Sequence, residues 1–109
     1  MWKNIVDSFK YLPVAAVVGQ RIFCVHGGLS PLLHQMCALN SIKRPVESDD
    51  HPVITDLLWS DPNLISPGWQ TNFERGVSVT FGKDAVDGFL KKYDFDMVCR
   101  SHQVVEEGY

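Results

Sequence analysis

The sequence is poor in cysteine, in excess basic charge and in long apolar runs, and each shortage removes a class of protein. Its three cysteines, Cys24, Cys37 and Cys99, are odd in number, widely spaced and without a CxxC pair. That pattern excludes the disulfide framework on which small secreted domains depend and reads instead as reduced thiols, packed away as small hydrophobes. Ten Lys and Arg against thirteen Asp and Glu leave a formal charge of −3, so no electrostatic footprint for nucleic acid or an anionic membrane surface is present. The longest apolar stretch, Leu12 to Val25, is broken at Gln20 and Arg21 and falls short of the ~20 residues of a membrane span. Asp7 and Lys10 interrupt the opening residues where a secretory signal keeps an unbroken apolar region. These features point to a chain of the cytoplasm or nucleus with neither nucleic acid nor membrane as a partner.

What is there is enough for one small globular unit: 109 residues, 45% hydrophobic and 11% aromatic. A chain of this size buries roughly two-thirds of its unfolded surface, enough for one modest core. Apolar residues at 2, 5, 6, 9 and 12 give a helical spacing that Pro13 stops. Val14 to Val18 and Ile22 to Val25 flank Gly19-Gln20 and read as a hairpin. Ser30-Pro31 has the form of a cap and first-turn proline for a helix over about 32–42. Pro45, Pro52, Pro62 and Pro67 then make residues 43–73 mostly loop, with one short apolar piece at 53–59. Residues 76–81 alternate as a strand, Lys83 to Tyr93 form a helix with one apolar face, and Phe95 to Cys99 read as a last buried strand. The order is that of a mixed α/β unit.

Two histidines follow directly on apolar β-runs: His26 after Ile22–Val25, and His102 shortly after Met97–Cys99. Imidazole is the commonest protein ligand for transition metals, and Gly27-Gly28 would allow close approach of backbone or substrate. On pattern alone, ligands and ordinary structural histidines both remain open. Nucleophilic catalysis has less support, because Ser30, Ser60 and Ser101 lack a nucleophile-elbow context and Cys24 has no Asn or Asp partner beyond its neighbour His26.

Four strings narrow the choice. His26-Gly27-Gly28-Leu29-Ser30-Pro31, Asp56-Leu57-Leu58-Trp59-Ser60-Asp61-Pro62, Arg75 to Gly82 (RGVSVTFG) and Arg100 to Tyr109 (RSHQVVEEGY) occur in the order and near the spacing of four signatures of the phosphoprotein serine/threonine phosphatases. The chain resembles that family over essentially its whole length, and within it the type-1 catalytic subunits. The resemblance implies an α/β fold, part of a metallophosphoesterase β-sandwich flanked by helices, with residues 1–109 as a single partial catalytic domain. It further implies hydrolysis of phosphoserine and phosphothreonine on protein substrates by water activated between two divalent ions, manganese, iron or zinc.

Carried over residue by residue, the resemblance makes His26 and His102 ligands of one ion and Arg75 a phosphate clamp. Trp59, Asp61 and Val104 belong to the substrate groove, and Ile22, Asp96 and Met97 to a groove for regulatory subunits with RVxF-type motifs. For Trp59, Val104, Ile22 and Met97 plain packing is the competing reading. The family's GDxHG, GDxVDRG and GNHE motifs do not occur in these 109 residues, and Ser101 stands where relatives usually carry Ala. Two imidazoles without a carboxylate make a weak site, so the chain alone is expected to be inactive. An alternative role is a non-catalytic fragment that competes for regulatory subunits. If the ligand reading holds, the metal-facing ring nitrogens of His26 and His102 lie within about 4 Å of each other.

Overall fold

Gly19 and Gln20 both adopt positive φ, +58° and +62°, the conformation of the tight turn whose twist matches paired strands. It joins β1 (Ala15–Val18) to β2 (Ile22–Val25) in the register Val18 to Ile22 through Ala15 to Val25. The computed structural model describes residues 1–108. α1 (Trp2–Phe9) precedes the hairpin; α2 (Cys37–Ser41), α3 (Pro52–Trp59), β3 (Asp61–Pro62), β4 (Trp69–Thr71), β5 (Val79–Phe81), α4 (Lys83–Tyr93) and β6 (Met97–Cys99) follow it. The strands form two three-stranded sheets, ordered β1-β2-β6 and β3-β5-β4, in which β2/β6 and β3/β5 run parallel.

One core joins the sheets. Phe23 and Val25 of β2, Leu29 and Leu33 of the following loop, Leu57 of α3 and Phe81 of β5 are all buried and in mutual contact. Phe89 of α4 caps this cluster, its ring centroid 5.0 Å from that of Phe23 and 6.0 Å from that of Phe95. α4 matches its sequence pattern from end to end. Asp84 sits in the first turn, Lys91 and Lys92 in the last, and Asp94 turns left-handed at φ +56° to close the helix, each favourable to the helix dipole or to chain reversal.

Four expectations need correction. The helix expected over 32–42 is only Cys37–Ser41. Leu33 is pulled into the core, and the carbonyls of Leu33 and His34 accept bonds from the Tyr93 hydroxyl (3.2 Å) and the Lys92 ammonium (2.7 Å) instead of helical N–H groups. Residues 43–73 are mostly loop as expected, and their short apolar piece lies in α3, which Pro52 opens at a position where the missing N–H costs nothing. The strand expected over 76–81 shortens to Val79–Phe81, since Gly76 and Ser78 take positive φ. β6 is not buried: Met97 and Cys99 are exposed, because the strand pairs along one edge only and packs through Val98. The cysteines are not core residues either: Cys99 lies on exposed β6, Cys37 on α2, and Cys24 on β2 opposite the core residue Phe23. Cys37 and Cys99 are exposed and Cys24 is half-buried.

Candidate metal and phosphate site

Parallel pairing of β2 with β6 sets Phe23 beside Val98 and Cys24 beside Cys99, so the residues leaving both strands emerge at one end of the sheet. There His26 Nε2 faces His102 Nδ1 at 2.9 Å. The Ser101 hydroxyl lies 3.2 Å from His26 Nδ1, and the Ser101 amide donates to the His26 carbonyl at 3.1 Å. His102 adopts a left-handed φ of +70°, a strained choice for a residue with a side chain and one that concentrates at functional sites. Its Nε2 is buried without a hydrogen-bond partner among the described residues. The Trp59 indole stands edge-on to the His102 ring, with 5.5 Å between centroids.

A buried carboxylate ties this corner together. Asp61 accepts from Arg75 Nε (2.9 Å), Arg100 Nη2 (2.8 Å) and Asn72 Nδ2 (3.0 Å). Arg75 reaches on to the His102 carbonyl at 3.0 Å, while Arg100 also donates to the Gly27 carbonyl and to Gln103 Oε1. Three chain segments thus meet at one acid, and Arg100 ties in a fourth through the Gly27 carbonyl. Gly27 and Gly28 make the meeting possible: a β-carbon on Gly27 would lie 2.5 Å from the Leu58 carbonyl carbon, and one on Gly28 would lie 2.3 Å from the Phe81 ring. The pair allows the loop after β2 to lie directly on α3 and β5.

Burial pushes the Asp61 carboxyl upward, but hydrogen bonds from Arg75, Asn72 and Arg100 outweigh it and hold the group below the usual carboxylate range. His102 moves below the ordinary imidazole value, first through burial and then through the positive charge of Arg75. The shift favours the neutral ring, the form in which imidazole binds metal.

The family model for calcineurin-like phosphoesterases matches residues 1–106. The chain belongs to the calcineurin-like phosphoesterase family. A solved structure supports the same placement: a protein serine/threonine phosphatase from Saccharomyces cerevisiae, described by its similarity to human phosphatase PP5, superimposes with a TM-score of 0.83 at 25% identity. The match covers 95% of this chain and 32% of that one, so the chain spans about a third of its length.

Family membership implies divalent metals, and the donor set can be tested against them. The 2.9 Å between His26 Nε2 and His102 Nδ1 is a hydrogen-bonding distance, and it also lies within the roughly 4 Å that two ligand nitrogens on one ion span at bonds of about 2.0–2.1 Å. The pair therefore fits two adjacent positions on one ion. The rest of the set does not fit: Asp61 is engaged by two arginines, and no group of three or more His, Cys, Asp or Glu converges among the described residues. These residues by themselves do not make a two-ion centre.

The other candidates fall in three places. Trp59 and Arg75 flank the histidine pair, and Asp61 lies beneath it as an anchor for both arginines. Val104 is fully exposed, on the solvent side of the loop after His102. Ile22 and Met97 are register partners away from the histidines, and Asp96 is bound by Arg21. Arg100 and Asn72 carry the site's architecture without having been singled out in the sequence. The signal for Arg100 lay in its place between a strand end and His102, whereas Asn72 had none. No helix among the described residues is long and apolar enough to cross a membrane.

Proposed function

We propose that this chain is the segment of a serine/threonine protein phosphatase that supplies two imidazole ligands to one divalent ion and the Arg75 guanidinium to the phosphoryl group of a phosphoserine or phosphothreonine. The observation that carries this reading is the 2.9 Å approach of His26 Nε2 to His102 Nδ1, with Arg75 bonded to the same His102 backbone. In such enzymes paired divalent ions supply an activated water and neutralise charge on the phosphate. Trp59 borders the opening, and Arg75 offers a planar, permanently charged fork suited to phosphate oxygens.

Titrating the full chain with zinc, followed by the imidazole proton resonances, should shift His26 and His102 together and leave His34 and His51 unmoved. His26→Ala should abolish the response of His102. Independent shifts, or none up to millimolar metal, would sink the ligand assignment. With manganese and a phosphothreonine peptide the 109-residue chain alone should show no turnover. Supplied in trans with a polypeptide carrying the GDxHG, GDxVDRG and GNHE motifs, it should support hydrolysis. Replacing His102 by Ala should then cost more than the roughly 10–100-fold typical of residues that merely orient metal ligands.

Ile22 and Met97 support a second role, as part of a seat for regulatory subunits with RVxF-type motifs, because they lie side by side with Met97 half-exposed. A fluorescent RVxF peptide should then bind saturably and be weakened by Met97→Asp. A flat titration would remove this role.

A further inference from the structure

Alternation along a strand divides β2 and β6 into two sets. Phe23 and Val98 pack into the core, so Ile22, Cys24, Met97 and Cys99 occupy the other face of the sheet. On that face the register places Cys24 directly beside Cys99. Neighbouring strands run about 4.7–4.9 Å apart, inside the roughly 4.4–6.8 Å between α-carbons that a disulfide spans. Both thiols are free; Cys99 is exposed, and Cys24 is half-buried where it lines an apolar cleft of about 660 Å³ beside His26. The third thiol, Cys37, is on α2.

We propose that Cys24 and Cys99 form a reversible dithiol switch, closed by a low-molecular-weight disulfide such as oxidised glutathione. The exposed Cys99 thiolate attacks one sulfur of the oxidant, forming a mixed disulfide and releasing one glutathione thiolate. Cys24 then attacks the Cys99 sulfur, the protein disulfide forms, and the second glutathione thiolate leaves. The two protein thiols are oxidised, one glutathione disulfide is reduced to two thiols, and the two protons lost by the protein end on them. Excess reduced glutathione runs the steps backwards.

Geometry makes the bond labile. Side chains of parallel partners start near the interstrand spacing of about 4.7–4.9 Å, whereas bridged β-carbons sit about 3.5–4.5 Å apart. Closure must therefore draw β6 against β2, and exposed or strained disulfides are the readily reduced, regulatory ones. Such a bond is compatible with a reducing compartment, where disulfides are transient and redox-sensing. It would also act at a distance, because His26 and His102 leave these same two strands immediately beyond the cysteines.

The test equilibrates the full chain in graded ratios of reduced to oxidised glutathione, blocks free thiols, and maps tryptic peptides by mass spectrometry. The expected product joins Ile22–Lys43, blocked at Cys37, to Tyr93–Arg100; apart from that blocking group it is lighter by two hydrogens than the separate reduced peptides, and it disappears on adding excess reduced glutathione. Fragmentation of the linked peptide assigns the bond to Cys24 or Cys37. Cys37→Ser should retain the full cross-link; Cys24→Ser and Cys99→Ser should lose it and carry a glutathione adduct on the thiol that remains. A cross-link mapped to Cys37, or only independent glutathione adducts at every ratio in Cys37→Ser, would overturn the proposal. The readout is a mass and not a turnover, so the outcome is independent of the phosphatase reading.

Discussion

Gly27→Ala destabilises the chain by about 3 kcal/mol or more, at the upper end of what overpacking costs. The added β-carbon meets the Leu58 carbonyl carbon at 2.5 Å, and the Leu58 carbonyl oxygen and Trp59 amide nitrogen at 2.7 Å. All three atoms are backbone, so no side chain can rotate away. Shifting the loop instead breaks the bond from the Gly27 amide to the Leu57 carbonyl at 2.8 Å and the bond from Arg100 to the Gly27 carbonyl. Gly88→Ala supplies the opposite sign. Position 88 lies in α4 with nothing within 4 Å of the added carbon, and exchanging glycine for alanine in a helix gains about 0.8–1.0 kcal/mol. Urea midpoints read both variants. A Gly27→Ala midpoint level with that of the unmodified chain would show that the loop after β2 does not rest on α3 as described.

Asp61→Asn comes next in expected size. The change preserves shape and removes charge, leaving Arg75 and Arg100 without their shared acid. Removing one partner of a buried ion pair costs about 3–5 kcal/mol. The arginine side chains here keep 26% and 17% of their exposure, so water recovers part of the loss and about 2–4 kcal/mol is the appropriate figure. The pH dependence follows from the direction of the Asp61 shift. Its folded carboxyl titrates below the ordinary carboxylate value, so the stabilisation is complete above about pH 4 and is lost as pH falls through the folded value. The stability difference between the unmodified chain and Asp61→Asn should therefore be constant near neutrality and shrink under acid conditions. A gap that persists unchanged into strong acid would mean that the carboxylate charge is not what the arginines hold.

Elements specified by neighbours in sequence could be read from it. The hairpin around Gly19-Gln20 and helix α4 depend on turn chemistry and a 3.6-residue period, and both lie where the pattern puts them. The segment after Ser30 could not be read in the same way. Ser30 does take the amide of Leu32, but its hydroxyl donates to Asp56 at 2.6 Å, and the demand of the core for Leu33 overrides local helix signals. The exposure of β6 was hidden as well, since an apolar run says nothing about how many of its edges and faces are covered. At the candidate site, strand-end histidines marked the position, and the motif strings suggested which residues matter. The hub at Asp61 was not legible, because it depends on Asn72, Arg75 and Arg100 arriving from as many as 39 positions away.

The parallel pairing of β2 with β6 also has a kinetic side. His26 and His102 are 76 positions apart, and all of that chain must be closed into a loop before they face each other. Contacts of such long range are slow to form, because loop-closure entropy is lost before the contact returns any stabilisation. The hairpin and α4 rest on contacts within a few residues, whereas the imidazole pair needs the whole intervening chain to be closed. A chain with β6 undocked, however much helix and hairpin it already holds, does not bring the two imidazoles together.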